Sequence, residues 1–454
     1  MGSEWKEYKL GQVTKWSSGG TPPKNDEKYW NGDIPWISAS SMNGKRYNDS
    51  KLKLTKEGLR KGSRLATKDS LLLLVRGSIL HQKIQVGITE KDVAFNQDVK
   101  SLLANEDIVD PWFLLFWFMS KEPELLGMVE NTGIGAGKLD TKLMQDLSIK
   151  IPPNRERKAI VGLFKAIEDK IELNRQMNQT LEQMEQALFK TWFVDFDPVI
   201  DNALAAGNAI PEPLQKRAAQ RKALGDKRKP LPDNIQQFFP AEFEFSEELD
   251  KWVPKGWKAG TISEVADVIG GGTPSTKVEE YFCEDGIAWL SPKDLSGYEW
   301  KFISRGAKDI TELGLSNSSA KLMPKGAILF SSRAPIGYVA IGENEISTNQ
   351  GFKSLVPKAG MCSEYLYYFL KSNVENIEAI ATGSTFKEVS GNAIKTFNIL
   401  IPSVNILTEY RKVSDDNNNK RLLIQKEVPS LTKLRDTLLP KLVSGEVRVP
   451  EEQL

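Results

Sequence analysis

The sequence predicts an α+β fold with two tandem mixed α/β modules, each followed by a long helix. The two helices are expected to form an antiparallel coiled coil, which gives the chain pseudo-twofold symmetry. Three observations predict this architecture: an internal repeat, a long amphipathic stretch after the first copy, and a second helical stretch after the second copy. The predicted segments are a first module (1–153), a central helix (154–198), a linker (199–250), a second module (251–402), and a distal helix with a C-terminal tail (403–454).

The internal repeat appears as short motifs that recur at a nearly constant spacing. Gly19-Gly20-Thr21-Pro22 near the start corresponds to Gly271-Gly272-Thr273-Pro274 after the midpoint. Further along, Asn96-Gln97 corresponds to Asn349-Gln350. One module is therefore used twice, and we call the two copies module 1 and module 2.

Each module combines strands with a short helix. The apolar runs 71–75 and 327–330 are typical of buried strands, and Gly and Pro residues separate such runs as turns. Pro111–Ser120 and Ser363–Ser372 are predicted to form one short buried helix in each copy. The pattern indicates a mixed α/β module.

The central stretch from residue 155 to 198 is predicted to be one long amphipathic helix. It contains no Gly after Gly162 and no Pro before Pro198. At about 1.5 Å per residue, some 38 helical residues would span roughly 57 Å, which makes this helix a spacer. Asn174 falls on the apolar seam, which is typical of a helix with one defined partner and register. The seam itself is predicted to contain Ile160, Phe164, Ile167, Ile171, Met177, Leu181, Met184 and Leu188.

A second helical stretch follows module 2 and is predicted to pair with the central helix. Its own seven-residue spacing passes through Asn417, Ile424, Leu431 and Leu438. Pro429 is expected to kink this helix, and the Asn residues 417–419 are expected to fray its start. The two helices are predicted to be antiparallel because each leaves the same edge of its module.

The composition is that of a folded protein without a strongly basic surface. With 454 residues and 40% hydrophobic content, the chain can fill two or three cores. A net charge of +1 and a pI near 7.6 argue against a free-standing basic nucleic-acid binder, so any DNA contact must come from local patches or be shared with partners. Two cysteines without a CxxC spacing indicate neither disulfides nor zinc. An N-terminus without an apolar signal core and the lack of long apolar runs predict a cytoplasmic location and no membrane contact.

The linker between the two halves carries charges of opposite sign in two blocks. Residues 215–230 are rich in Lys and Arg, whereas residues 242–250 are rich in Glu and Asp. One interpretation is a solvated connector. The other is that the basic block contacts a phosphate backbone.

The sequence contains no motif for catalysis or metal binding. The single histidine, His81, excludes a Ser-His-Asp triad that uses both copies, and no HExxH helix exists. The Gly-rich loop 133–138 has Thr132 and Leu139 at the positions where a phosphate-binding loop needs Gly and Ser or Thr. There is also no Asn/Asp-Pro-Pro-aromatic tetrapeptide of the kind that amino-methyltransferases use. We therefore predict no catalytic residue, no metal site and no cofactor bound by this chain.

Two further motifs carry a resemblance to a known family. The central helix ends in Leu188-Phe-Lys-Thr-Trp-Phe-Val-Asp-Phe-Asp-Pro198, and the tail reads Leu434-Arg-Asp-Thr-Leu-Leu-Pro-Lys-Leu-Val-Ser-Gly-Glu446. Together with the duplicated Gly-Gly-Thr-Pro modules, these motifs resemble the specificity (S) subunit of type I restriction-modification systems. The resemblance covers nearly the whole chain.

The resemblance implies a non-catalytic, DNA-binding role in defence against foreign DNA. The modules would be target recognition domains that each read one half of a split, asymmetric site in double-stranded DNA. The long helices would separate them and bind two methyltransferase (M) subunits, and restriction (R) motor-endonuclease subunits would complete the complex. S-adenosylmethionine, ATP and Mg would then belong to those partner subunits. Two alternatives are a non-catalytic protein–protein scaffold and the recognition part of another modification enzyme.

The two modules depart from one another after a shared arginine. Module 1 has Arg76-Gly-Ser-Ile-Leu80 where module 2 has Arg333-Ala-Pro-Ile-Gly337, and module 1 holds four extra residues around positions 78–83. This difference suggests that the modules read different bases.

Candidate DNA contacts lie in the repeated loops. Thr and Lys residues beside the Gly-Gly turns are of the type that binds phosphate oxygens, and Arg, Asn and Gln pair with base edges in the major groove. Because these residues are matched between modules, they can equally brace the shared fold. Trp36 and Trp289 are predicted to be core residues. The full candidate set is Thr21, Lys24, Arg76, Asn96, Gln97, Lys138, Thr273, Ser275, Lys277, Arg333, Asn349, Gln350 and Lys387.

Candidate partner contacts lie at the ends of the two long helices. The aromatic cluster of Trp192, Phe193 and Phe196 can either pack onto the chain's own modules or form a hot spot for a methyltransferase subunit. Leu438 and Leu439 of the distal helix are the corresponding candidates near the C-terminus.

Overall fold

A computed structural model of the chain describes residues 4–132, 135–228, 230–383, 387–450 and 452. The chain divides into two compact units. Unit 1 comprises Met1–Leu173 and Val428–Leu454, and unit 2 comprises Asn174–Glu427. Each unit therefore contains one module and a part of both long helices. Gly133 and Ile134 of the Gly-rich loop and Lys229 of the basic block lie outside the described residues.

Module 1 alternates short strands with short helices. Its helices are α1 Leu10–Val13, α2 Lys56–Gly62, α3 Pro111–Ser120, α4 Glu122–Gly127 and α5 Thr141–Asp146. Its strands are β1 Lys6–Lys9, β2 Thr14–Ser18, β3 Trp30–Ile37, β4 Arg46–Tyr47, β5 Lys53–Leu54, β6 Arg64–Ala66, β7 Leu71–Leu74, β8 Arg76–Gly77, β9 Val86–Thr89, β10 Val93–Phe95, β11 Val99–Ala104, β12 Glu130–Asn131, β13 Gly137–Lys138 and β14 Ser148–Ile151.

The middle of the chain and module 2 follow. The helices are α6 Asn154–Phe193, α7 Asp197–Ala206, α8 Glu212–Ala223, α9 Asp233–Gln236, α10 Ile262–Val265, α11 Glu312–Ser316, α12 Ser363–Ser372, α13 Val374–Ala379, α14 Gly391–Lys395 and α15 Val404–Ser444. The strands are β15 Phe243–Ser246, β16 Lys251–Pro254, β17 Lys258–Thr261, β18 Ala266–Gly270, β19 Phe282–Cys283, β20 Ile287–Leu290, β21 Phe302–Ile303, β22 Lys308–Ile310, β23 Ile328–Ser332, β24 Ile336–Gly342, β25 Ser347–Thr348, β26 Lys353–Pro357 and β27 Asn398–Ile401.

The sheets of the two modules have matching topologies. Module 1 has a five-stranded sheet in the order β2-β11-β7-β9-β4, and module 2 has the same arrangement in β18-β26-β23-β24-β21. In both modules the first strand pairs antiparallel with the last, β1 with β14 and β17 with β27. The predicted tandem α/β modules are confirmed.

The cores form where the sequence is most apolar. All four residues of β7 are buried, because this strand lies in the interior of its sheet. Helices α3 and α12 have the predicted bounds, and most of their residues are buried. No helix within the described ranges is long and apolar enough to span a membrane.

Helix α6 ends at Phe193, five residues before the predicted end at Pro198. The Lys190 carbonyl accepts from both Val194 N at 3.0 Å and Asp195 N at 2.8 Å, which closes the last turn. Phe196 then adopts a left-handed conformation with φ of 55°, and α7 begins at Asp197. The chain therefore breaks and turns here, where one continuous helix was predicted.

The apolar seam of α6 differs from the prediction in unit 2. Met177 and Met184 are exposed, so their assignment to the seam is wrong. The polar Asn178 and Glu185 are buried in their place, together with the predicted Asn174. The reason is that these polar groups find charged partners on α15.

Helix α15 contacts α6 within each unit. In unit 2, Asn174 donates to Glu427 at 2.9 Å, and Arg421 Nε donates to Asn178 at 3.0 Å. In unit 1, Arg435 forms an ion pair with Glu168. In unit 2, residue numbers rise along one helix as they fall along the other, so the predicted antiparallel pairing is confirmed there.

The predicted fraying near Asn417 is wrong. Helix α15 begins at Val404 and continues through Pro429 and Pro440, so residues 417–419 lie well inside it. Asn418 is buried, donates to Glu364 Oε1 at 3.0 Å and accepts from Lys301 Nζ at 2.8 Å. A side chain with two buried partners stabilises the helix at this point instead of loosening it.

Part of the basic block of the linker is packed against α7. In the basic block, Arg217 forms two hydrogen bonds of 2.6 Å with Asp197, and Arg221 and Arg228 form ion pairs with Asp201. Both aspartates lie on α7 and are nearly buried. These arginines hold α8 and its flanking residues onto α7, so they are not simply solvated.

Candidate nucleic-acid interface

The Gly-Gly-Thr-Pro turn is held in the same way in both modules. A Cβ atom on Gly19 would overlap the Phe95 carbonyl oxygen, and one on Gly271 would overlap the Asn349 carbonyl oxygen. Only glycine fits such a close backbone approach. The turn therefore lies directly against the Asn-Gln segment in each copy.

A tryptophan in each copy of the repeat donates a hydrogen bond to this turn. Trp36 Nε1 donates to the Gly20 carbonyl at 3.1 Å, and Trp289 Nε1 donates to the Gly272 carbonyl at 2.9 Å. Trp36 is buried and Trp289 is partly buried. Trp36 is therefore the core residue that was predicted, and each indole also positions the neighbouring turn.

The threonine of each turn meets the glutamine of the Asn-Gln segment. Thr21 Oγ1 donates to Gln97 Oε1 at 2.7 Å, and Thr273 forms the same hydrogen bond with Gln350. Both glutamines are exposed. The structure thus brings together predicted residues that are more than 70 positions apart in the sequence.

The asparagines of these segments brace the fold. Asn96 is only 6% exposed, and its Oδ1 accepts from the Asp98 backbone N at 3.2 Å. Asn349 Oδ1 accepts from Gly351 N at 2.8 Å in the corresponding turn. This geometry supports the bracing alternative, and it leaves Asn96 too buried to pair with a base edge.

The repeated arginine of each module forms a backbone bridge to a residue much later in the chain. Arg76 in β8 pairs with Lys138 in β13, and this short sheet also contains β12. In module 2, Arg333 forms the equivalent backbone bridge with Glu388. Arg76 is exposed, whereas Arg333 Nη1 lies 3.5 Å from Glu388 Oε2.

The two candidate lysines Lys138 and Lys387 do not occupy equivalent positions in the two modules. Leu139 N donates to the Val75 carbonyl at 2.9 Å, and Val389 N donates to the Ser332 carbonyl at 3.0 Å. This register places Glu388 in the position of Lys138. Lys387 is exposed and corresponds to Gly137. Matching the two Thr-Gly loops residue by residue in the sequence would have shown the same correspondence.

One further pair of repeated lysines, Lys100 and Lys353, lies near these residues and was not among the candidates. Lys100 donates to Ser18 Oγ, and burial together with the positive charges of Arg64 and Arg76 lowers the pKa of Lys100. Lys353, its counterpart, lies 3.2 Å from Glu388 Oε1. The signal was available, because Lys-Ser-Leu recurs in both copies.

The remaining DNA candidates lie on the segment that follows each turn. Lys24, Ser275 and Lys277 are exposed there. The Ser275 carbonyl accepts from Val278 N at 3.1 Å, which shapes the segment in module 2. These three residues flank the face defined by the turn, the Asn-Gln segment and the arginine, which we call the loop face of each module.

The four-residue insertion of module 1 forms a short 3₁₀ helix, Ser78–His81, directly after Arg76 and Gly77. His81 Nε2 lies 3.3 Å from the Gly135 carbonyl oxygen. In module 2, strand β24 begins at Ile336 instead. The two loop faces therefore differ in shape at this point.

The aromatic cluster at the end of α6 packs onto module 2. Trp192 is 1% exposed, and Phe193 contacts Trp257, Tyr365 and Tyr410 with ring centroids 4.8 to 5.9 Å apart. Phe196 is also buried in this core of unit 2. The burial supports the packing alternative and leaves these rings little surface for a partner.

The leucine candidates near the C-terminus lie in unit 1. Leu439 is buried and Leu438 is half-buried. Further along the tail, Arg448 donates to both carboxylate oxygens of Glu156, at 2.6 and 2.7 Å. The tail is thus anchored to the start of α6.

The described residues contain no cluster of His, Cys, Asp or Glu that can hold a metal ion. Each of the two modules has a polar loop face built from corresponding residues, and each module is followed by a long helix. This arrangement defines a duplicated recognition scaffold.

The chain belongs to the family described as type I restriction modification DNA specificity domain, whose model matches residues 2–183 and 254–422. It is 27% identical to the HindI specificity subunit of Haemophilus influenzae, over 98% of this chain and all of that protein. It is 47% identical to the MjaIX specificity subunit of Methanocaldococcus jannaschii, over 36% of this chain and 38% of that protein. The predicted role in DNA sequence recognition within a type I restriction-modification system is therefore confirmed.

The fold agrees with this family. The crystal structure of a type I restriction-modification S subunit from M. genitalium superposes with a TM-score of 0.53 and covers 96% of both chains. The sequence identity is 14%, so this similarity concerns the fold alone.

Proposed function

We propose that the chain reads a bipartite, asymmetric site in double-stranded DNA, with one half-site per module, and that it carries two methyltransferase subunits. The observation that carries this proposal is the duplicated loop face. Both faces share the turn, the Thr–Gln hydrogen bond and the arginine, but they differ in the 3₁₀ helix and in Lys138 against Glu388. A shared scaffold with different reading groups suits two different half-sites.

Exposed apolar side chains on the long helices support two copies of one partner. Large apolar groups on a helix whose other face is already packed favour a docking surface. The exposed groups recur at the same repeat distance, as in Leu173 and Leu423 (423 − 173 = 250), and Leu423 is 69% exposed. Unit 1 exposes Leu163, Leu173 and Leu434, and unit 2 exposes Val413, Leu423 and Met184.

The chemistry is then supplied by the partners. S-adenosylmethionine would bind to the methyltransferase subunits, and ATP and Mg to the restriction subunits. The complex would act in the cytoplasm. The recognition chain would position these partners on the DNA and determine which sequence is recognised.

The test is an exchange of module 1 in the complete system. Residues 1–153 are replaced by the first module of another specificity subunit, and methylated adenines are mapped in host DNA. One half of the bipartite site should change while the other half stays the same. Loss or change of both halves would contradict independent reading.

A DNA-binding measurement and a methyl-transfer assay separate the alternatives. A protein–protein scaffold would show no salt-dependent DNA binding with or without methyltransferase subunits, whereas the proposal expects weak binding by the isolated chain and a gain when the partners join. If the isolated chain transferred methyl groups from labelled S-adenosylmethionine, it would be part of another modification enzyme instead.

A further inference from the structure

The two loop faces carry opposite charges at one equivalent position. Lys138 and Glu388 occupy the same place in the backbone, each bridged to the repeated arginine and followed by a buried residue whose N–H donates to the carbonyl of the residue before that arginine. Their side chains, however, have opposite signs. This position therefore changes the charge of the loop face, in addition to the difference in shape made by the 3₁₀ helix of module 1.

Module 1 presents donors at this position. Among the described residues, no carboxylate forms an ion pair with Arg76, Lys100 or Lys138. Glu130 lies opposite Lys138 in the same short sheet and is exposed, while Asp98 accepts from Asn96 Nδ2 at 3.0 Å. Guanidinium and ammonium groups donate hydrogen bonds and accept none, so this face binds acceptors.

Module 2 presents an acceptor between two donors. Glu388 lies 3.5 Å from Arg333 and 3.2 Å from Lys353, and its side chain is 39% exposed. A carboxylate has about four lone-pair directions, so two contacts leave acceptor capacity. The exposed edge of Glu388 can therefore accept from a base amino group, and Arg333 is held beside it.

We propose that positions 138 and 388 determine what the loop faces recognise. Glu388 accepts from the amino group of a cytosine in the second half-site, while Lys138 together with Arg76 binds only acceptors, either phosphate oxygens or a guanine edge, at the first half-site. Carboxylates accept from cytosine N4, and cationic side chains donate to guanine O6 and N7 or to phosphate. This inference rests on the proposed function, because it assumes that the loop faces contact DNA.

The experiment uses the specificity subunit assembled with its methyltransferase partners. Glu388→Gln and Lys138→Gln are compared with wild type by mapping methylated adenines on a randomised DNA library and by measuring the salt dependence of DNA binding. Gln matches Glu in size and is slightly shorter than Lys, and it removes the charge of both side chains. Glu345→Gln, in an exposed turn beyond the far end of β24, and Lys68→Gln, at the end of β7 away from Arg76, are matched controls.

Glu388→Gln should reduce the preference at one base pair of the second half-site by about tenfold and leave the first half-site unchanged. Lys138→Gln should lower the slope of log affinity against log salt by about 0.9. An unchanged first half-site in that variant identifies phosphate as the acceptor, and a lost guanine preference identifies the base.

The proposal is overturned if both variants keep the wild-type methylation profile and salt slope, or if Glu388→Gln alters only the first half-site. Thermal melting of each variant subunit checks that the fold is intact. Failure of the proposed function looks different, because the wild-type complex would then methylate no bipartite site at all.

Discussion

Lys301 lies at the centre of a buried ion network in unit 2, and its replacement by methionine is expected to destabilise that unit. Its side chain is 0% exposed, and Nζ donates to Glu185 Oε2 at 2.7 Å and to Asn418 Oδ1 at 2.8 Å. Glu185 is equally buried. Loss of the lysine leaves this carboxylate with Arg421 Nη1 at 3.3 Å and the Tyr368 hydroxyl at 2.6 Å.

The magnitude follows from burial. Removing one partner of a buried ion pair typically costs about 3–5 kcal/mol, because the other charge remains desolvated. Arg421 retains part of the pairing, so we expect a loss of about 3 kcal/mol for Lys301→Met. For a unit of this size, each kcal/mol lowers Tm by roughly 2–4 °C, which gives a decrease of roughly 6–12 °C.

The pKa of Lys301 adds a further expectation. Burial lowers this pKa, and the attraction of Glu185 does not fully compensate for the lost hydration. Removing one member of the pair therefore leaves the other group buried without its partner, which lowers the stability of the unit. The double variant Lys301→Met/Glu185→Gln should lose about 1–2 kcal/mol less than the sum of the two single variants.

Urea and thermal denaturation of the full chain measure these free energies. Lys371→Met is the matched control, because Lys371 pairs with Glu182 in the same network but its side chain is 36% exposed. That loss should be only about 0–1 kcal/mol. The reasoning is refuted if Lys301→Met and Lys371→Met are equally stable, or if the double variant shows simple additivity.

Further predictions concern the tail, the turns and the central helix. Burial raises the pKa of Glu156, but hydrogen bonds from Arg448 and Trp5 outweigh it and hold the pKa below the usual 4.5. This contribution to stability is complete above pH 4.5 and is lost as the pH falls through the lower pKa of Glu156 in the folded protein. On acidification, the Tm of the wild type should therefore fall more than the Tm of Arg448→Ala. Parallel curves of Tm against pH for the two proteins would contradict this prediction. Gly271→Ala should impair the second half-site alone, because its Cβ overlaps the Asn349 carbonyl oxygen, and an intact site on methylation mapping would refute this. Inserting four residues near Gln179 lengthens α6 by about 6 Å and turns the seam by only about 40°. The gap between half-sites should then grow by one or two base pairs at about 3.4 Å each, and an unchanged gap on a randomised-spacer library would show that spacing is set elsewhere.

The repeat and the amphipathic stretches determined much of the architecture from the sequence alone. The equivalent turns at Gly19 and Gly271, the bounds of α3 and α12, and the antiparallel pairing around Asn174 follow from local pattern. These features depend on residues close in sequence or on motifs that occur twice. Periodicity reports them directly.

Tertiary structure decided which side chains occupy the buried positions and which remain at the surface. Met184 was predicted inside because it is apolar, yet Glu185 is buried in its place, since Lys301 and Arg421 approach from more than 100 residues away. Likewise, Trp192 is enclosed by residues that follow much later in the chain. A buried charge is stable only beside its partner, and partners brought together by folding leave no periodic signal in the sequence.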